Sequence, residues 1–329
     1  MKKIISVILS LLIISALFAG CGAPQTQEGG KLKIVATVFP EYDWVKNILG
    51  ERLADTELTL LLDSGVDLHS YQPTADDMIK ISNCDIFIYV GGESDGWVDD
   101  ALAQAVNKDM TVISLLEVLG DRVKEEEIKE GMQAEEEEEH GGEGEEEEEG
   151  PENDEHVWLS LKNAAFICDY LAAKLGEKDA ANKEIYAANA QAYIGKINAL
   201  DAQYKAAVDA ANVKTLIFCD RFPFRYLVDD YGLDYYAAFV GCSAESEASF
   251  ETITFLAGKV KELAPANVVV LEGGSNKIAE TVIKTSGLDG VGTVTLNSMQ
   301  SVTSQDVENG ADYVSIMTEN LENLKTVID

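Results

Sequence analysis

The chain has 329 residues, a hydrophobic fraction of 46% and a formal net charge of −34. That much negative charge excludes a nucleic-acid partner, whose phosphates it would repel, and makes cations the natural ones. Five cysteines with no CxxC pair exclude a disulfide-framework fold while leaving a single bridge open.

The chain opens with Met1-Lys2-Lys3, an apolar run over 4–18 and then Ala19-Gly20-Cys21. A positive end, an apolar core too short to span a bilayer and small residues before a cleavage point predict a secretory signal peptide over 1–20. The cysteine after Ala-Gly resembles a bacterial lipobox, with Phe18 where such boxes usually have leucine. It implies lipidation of Cys21, anchorage to the outside of the cell membrane and a polar, Gly-containing tether over 21–30.

Short Val/Ile/Leu-rich runs at 32–38, 57–62, 84–90 and 111–115 alternate with helical patterns at 41–53, 74–82 and 97–105. Continuous apolar strands between helices predict a parallel sheet covered on both faces, an α/β lobe over 31–124. Residues 125–155 break the pattern with eighteen carboxylates. Like charge at that density buries nothing, so the segment is expected to be a disordered insertion, either a solvated spacer or a weak cation-collecting brush. Order resumes at His156, and 156–178 completes the first lobe. Residues 179–211, with helix-forming composition and one glycine, predict a long helix of roughly 50 Å linking two lobes. Strand runs at 213–218, 233–239, 267–271 and 291–296, with helices at 222–230, 249–263, 277–286 and 310–328, predict a second α/β lobe over 212–329.

Chemistry-bearing residues are few. Of three histidines, His69 lies in the loop 65–74 directly after a buried strand, the position where open α/β sheets hold ligands. His140 and His156 lie in or beside the acidic segment. Cys84 and Cys168 sit in apolar surroundings and read as small core residues.

His69-Ser70-Tyr71-Gln72-Pro73-Thr74, preceded by Gly65-Val66-Asp67, resembles the His-Ser-Tyr-Glu-Pro-Thr loop of the metal-binding solute-binding lipoproteins of zinc and manganese ABC transporters, the ZnuA/TroA-like family. Asp154-Glu155-His156-Val157-Trp158-Leu159 is similar to the family's second ligand segment, and Tyr231-Gly232-Leu233 follows the place of its third. The motifs occur in the family's order from about Lys33 to the last helix. The resemblance implies two α/β lobes joined by a rigid helix, with a metal ion in the cleft between them. It also implies a membrane permease and its ATPase as partners.

His69 and His156 are the implied metal ligands. At the third position stands Cys219, expected either as a thiolate ligand or in a disulfide with Cys242. Cys242, Glu272, Asn297 or water are candidates for a fourth position, Asn297 standing where the family has aspartate. Two imidazoles and a thiolate suit zinc ahead of manganese, which prefers oxygen ligands. Two competing functions are a cation-buffering or adhesin lipoprotein worked by the acidic segment, and a hydrolase with Cys219 as nucleophile. The second lacks any motif for an oxyanion hole or a lowered thiol pKa, so the chain is expected not to be an enzyme.

Overall fold

The computed structural model describes residues 30–133, 152–243 and 247–329. Cys21, the signal and tether segments up to residue 29, and His140 lie outside the described residues. In chain order the elements of the first lobe are β1 (Leu32–Ala36), α1 (Phe39–Leu49), β2 (Thr56–Leu60), α2 (Ala75–Asn83), β3 (Ile86–Tyr89), α3 (Val98–Ala103), β4 (Thr111–Ser114) and α4 (Leu115–Leu119). After them come α5 (Leu161–Lys178) and the linking helix α6 (Lys183–Ala210). The second lobe is β5 (Thr215–Phe222), α7 (Arg225–Tyr231), β6 (Asp234–Val240), α8 (Phe250–Leu263), β7 (Asn267–Leu271), α9 (Lys277–Ser286), β8 (Gly292–Leu296), α10 (Ser304–Glu308) and α11 (Tyr313–Ile328).

The two sheets have one topology, β2-β1-β3-β4 and β6-β5-β7-β8. β1 pairs parallel with β3 and β3 with β4, and β5 pairs parallel with β6 and β7, and β7 with β8. In each sheet the chain crosses from one side of its first strand to the other, which opens a crevice at the strands' carboxyl ends. Apolar runs form the inner strands β1, β3, β5 and β7 because both faces are covered: Ile34, Phe87, Ile88, Phe218, Val268 and Val269 are all buried, whereas the edge strands β2 and β8 are partly exposed.

The helix α6 has 28 residues, about 42 Å at 1.5 Å per residue. It starts later than the sequence suggests, after a 3₁₀ turn at Ala180–Asn182. Its buried stripe, Tyr186, Ala190, Tyr193, Ile197, Leu200, Tyr204 and Val208, follows helical spacing. Tyr193 donates to Asp43 in the first lobe (3.0 Å) and Tyr204 to the Met317 carbonyl in the second (2.6 Å), so one rod is bonded to both. The lobes also meet directly. The Tyr313 hydroxyl donates to the Trp158 carbonyl at 2.6 Å, and the Trp158 indole donates to the Ser298 carbonyl at 2.8 Å.

The edges of the acidic segment depart from expectation. Residues 125–133 and 152–155 are ordered, bonded to each other and to both lobes. Glu125 pairs antiparallel with Asn153 and Gln133 pairs with Phe239. Glu127 faces Arg225 at 3.7 Å, and Lys129 bonds to Asp234 while lying over the Tyr235 ring. Residues 134–151 lie outside the described residues.

Candidate metal centre

The loop after β2 is built to hold His69. Thr74 caps α2 reciprocally: its hydroxyl accepts from the Asp77 N–H at 3.2 Å, and Asp77 accepts from the Thr74 N–H at 3.0 Å. A cap of this kind contributes about 1 kcal/mol. The Tyr71 hydroxyl donates to the same Asp77 carboxylate at 3.0 Å, tying the loop to the helix. At the other end, Asp67 accepts from the His69 N–H at 3.1 Å and closes a 3₁₀ turn over Leu68–Ser70. The imidazole Nδ1 lies 2.7 Å from the Ser94 hydroxyl in the loop after β3. Burial, followed by the neighbouring His156, lowers the His69 pKa to about 3, which leaves its ring neutral and able to offer a lone pair.

His156 is fully buried. The Asp154 carboxylate accepts from its backbone N–H at 2.8 Å and lies 3.0 Å from its Nδ1. In the neutral ring the Nδ1 proton faces Asp154 and the Nε2 lone pair faces the cleft. Burial opposes the charged ring, but Asp154, Glu155 and Glu126 outweigh it and hold the pKa above the ordinary value. Ser160 caps the following helix, accepting from the Asn163 N–H at 3.0 Å.

Cys242 arrives from the second lobe, just past β6. Its N–H donates to Glu126 at 3.0 Å, so the ordered edge of the acidic segment holds the thiol's backbone. Gly241 makes the approach feasible: a Cβ there would lie 2.9 Å from the Phe222 carbonyl and 3.0 Å from His156 Cε1. Burial, then Glu126 and Glu155, raise the Cys242 thiol pKa far above its ordinary value.

One ligand atom each from His69, His156 and Cys242 lies within 4.8 Å of the others. The two Nε2 atoms are 3.3 Å apart. Around tetrahedral zinc, with bonds of about 2.0–2.1 Å to nitrogen and about 2.3 Å to sulfur, N···N is about 3.4 Å and N···S about 3.6 Å. The imidazoles already have that spacing, and the Cys242 sulfur lies within 4.8 Å of a ring nitrogen of each. The Gln300 side-chain amide lies 3.0 Å from His69 Nε2 and 2.7 Å from His156 Nε2, so it faces the same point. An amide can present either its nitrogen or its oxygen there by rotation. The adjoining cleft, of about 200 Å³, is lined by His69, Cys242, Glu93, Ser94, Glu126 and Glu155 among others. Glu155 accepts from the Ser94 N–H at 2.9 Å with one oxygen, while the other is buried without a hydrogen-bond partner 3.7 Å from His69 Nδ1. Burial is the chief reason its pKa is raised to about 7.

Three residues singled out from the sequence lie elsewhere. Cys219 belongs to the core of the second lobe with Ile217, Ala238, Phe239, Leu256 and Val268. Burial, and then Asp220, push its thiol up to about 12. Both Cys219 and Cys242 are free thiols, so the alternative disulfide is absent. Glu272 spends its carboxylate on the Ser298 N–H (2.8 Å) and hydroxyl (2.7 Å). Asn297 accepts from the Met299 N–H at 2.7 Å and shapes the turn that carries Gln300.

Cys219 follows the alternation of its strand and faces the core on the same side as Ile217. β5 does not end at Phe218 but runs on to Phe222, and its register against β6 slips: Phe218 faces Ala237 whereas Arg221 faces Phe239. The extra residue is a bulge, which re-aims the side chains that follow it. Arg221, not Cys219, is thereby the β5 residue that reaches the cleft. Neither a bulge nor the convergence of Gln300 has a periodic signature in the sequence. Glu155 was in view as part of a motif, but without any sign of where its carboxylate points.

A family model described as the zinc-uptake complex component A, periplasmic, matches residues 34–327. The chain belongs to this family. Among its relatives, the zinc-binding lipoprotein AdcA of Streptococcus pneumoniae (strain TIGR4) is 32% identical over 335 aligned positions, covering 100% of this chain and 62% of AdcA. The chain thus spans less than two thirds of that relative. The high-affinity zinc uptake system protein ZnuA of Bacillus subtilis (strain 168) is 30% identical over 323 positions, covering 96% of both chains. The crystal structure of the Zn(II)-bound ZnuA-like domain of S. pneumoniae AdcA superposes with a TM-score of 0.69 at 30% identity, covering 91% of this chain and 100% of that domain. The metal-dependent lipoprotein YcdH of B. subtilis gives 0.72 at 26% identity, covering 91% and 100%. The two-lobed α/β architecture is that of this zinc-uptake family.

Proposed function

We propose that the chain is the extracytoplasmic solute-binding component of an ABC importer. It captures one zinc ion between its lobes and delivers it to a membrane permease powered by an ATPase. The observation that carries this is the convergence of one ring nitrogen each from His69 and His156 with the Cys242 sulfur, all within 4.8 Å of one another. His69 and His156 come from the first lobe and Cys242 from the second, so the ion would join the lobes. The Gln300 amide oxygen, turned inward, supplies a fourth donor. Zinc is the expected cargo because a thiolate and two imidazoles suit it better than manganese, which favours oxygen. The names and the zinc-bound structure of the relatives support the same cargo. A lipidated Cys21 would keep the protein at the outer face of the membrane. Capture and release require no bond making in a substrate, and the family's role as a component of an uptake complex accords with a binding protein. The test is elemental analysis of metal-stripped protein after dialysis against equimolar zinc and manganese. One zinc per chain with little manganese is expected. A manganese-filled site, or many zinc ions and no tight one, would refute the proposal.

A further inference from the structure

Arg221 holds a place in the cleft that the capture of a cation does not by itself call for. Its guanidinium donates through Nη2 to Asp67 Oδ2 at 2.7 Å and through Nη1 to the Ser243 carbonyl at 3.3 Å. The other Asp67 oxygen accepts from the His69 N–H at 3.1 Å. Ser243 follows Cys242 directly. One planar cation on β5 is therefore bonded to the turn that carries His69 in the first lobe and to the loop that carries Cys242 in the second. The β5 bulge is what aims it there.

We propose that Arg221 is a positioning residue that sets the separation of His69 from Cys242, and with it the geometry in which zinc is captured. A guanidinium suits this because its donors are fixed in one plane, whereas a lysine ammonium is a single point charge on a flexible stem. The positive charge is offset by Asp67, and its largest effect on that residue beyond burial is to hold the carboxyl below its usual pKa. Arg221 thus remains an outer partner of two ligand loops without becoming a ligand. In this family of chemistry, removing an outer partner costs about 10–100-fold in metal affinity. The inference rests on the proposed zinc capture.

The experiment measures zinc affinity by chelator competition, and sulfur scatterers at the zinc edge by X-ray absorption, in the full chain and in R221Q, R221K, D67N and the D67N/R221Q double variant. The melting temperature of each metal-free protein is recorded alongside. The unsubstituted chain should bind one zinc with one sulfur neighbour. R221Q and D67N should each weaken binding by about 10–100-fold, and R221Q should lose the sulfur signal while melting within a few degrees of the parent. The double variant should be no weaker than the worse single one, because both changes cut the same chain of contacts. R221K should recover part of the affinity through Asp67. Binding in R221Q within threefold of the parent, with sulfur intact, would overturn the role of Arg221 alone, as would strict additivity of the two changes. A parent chain that binds no zinc would overturn both this inference and the function it rests on.

Discussion

At the scale of single residues, the site is defined less by its histidines than by what lies around them. Asp154 fixes the tautomer of His156, Asp67 holds the His69 backbone and Ser94 meets its ring, and Glu126 holds the backbone of Cys242. Behind them lies Glu41, fully buried, with one oxygen accepting from the Thr37 N–H at 2.9 Å and the other without a partner. Burial is the first cause, and Asp95 the second, of a pKa raised from 4.5 to about 8. Below pH 4.5 the folded and unfolded chains both carry this proton. Between 4.5 and about 8 only the folded chain does, so its contribution to stability is lost as the pH rises through that window. Glu41→Gln keeps an acceptor for Thr37 and cannot ionise. Its melting temperature should fall less than the parent's between pH 5 and pH 8, and an identical slope for the two proteins would show that Glu41 does not hold its proton.

The same scale shows where sequence stops being informative. His69 and His156 were legible because short motifs place them after a strand and before a helix, and both features are local. Cys219 does not reach the cleft because strand length is a tertiary outcome: pairing with β6 carries β5 four residues past the apolar run, so Cys219 lies within the strand and faces the core beside Ile217, two residues before it. Cys242 was visible only as a thiol near a strand end. Gln300 carried no signal, since its approach to two imidazoles depends on the turn that Asn297 and Glu272 build.

At the scale of elements, the strands and helices follow the apolar periodicity closely, as with β7 at Asn267–Leu271. The difference lies in the acidic segment, where composition alone argued for no structure. Its flanks are ordered because several of their charges and the adjoining Lys124 meet counterparts on the rest of the fold, as Lys124 meets Asp229 at 2.6 Å, Glu126 meets the Cys242 N–H and Glu155 meets the Ser94 N–H. Composition reports self-repulsion within a segment but not the surface on which its ends come to lie. These flanks hold the site's edge from outside residues 134–151. Deleting 134–151 and rejoining the chain with a short Gly/Ser linker should therefore leave tight zinc binding within severalfold of the parent. His69→Ala should weaken it by at least about 100-fold, since it removes a ligand itself and not an outer partner. Chelator competition at low and high salt distinguishes the two. Equal losses from both changes would mean that the carboxylates, not the cleft, capture the metal.

At the scale of the whole molecule, the lobes are held by more than one connection. The 28-residue α6 is bonded to both. The Tyr313 N–H donates to Asp43 at 3.1 Å, and the Tyr313 ring meets Trp44 edge-on at 5.4 Å, which carries the second lobe's last helix into the first lobe's core. Wide hinge closure needs a few residues that absorb large backbone rotations, whereas here a rod and a buried interface would both have to give way. Metal binding should thus act locally on the loops that carry His69 and Cys242. Small-angle scattering of the chain lacking residues 1–20 and 134–151 should give the same radius of gyration, within error, with and without zinc. A clear contraction on adding zinc would contradict a rigid pair of lobes.

The central claim is that the second lobe's ligand is Cys242 and not Cys219. It is tested most directly by competitive zinc titration of the parent, C242S and C219S at pH 7.5 and pH 5.5. To bind, the thiol must lose its proton and both imidazoles must be neutral with a lone pair free, so affinity should fall as the pH falls in the parent. C242S should bind at least about 100-fold more weakly at pH 7.5, while C219S should bind zinc as the parent does and lose only stability, about 0.5–3 kcal/mol, for a change in a packed core. Parent-like zinc binding by C242S together with a large loss in C219S would contradict the account.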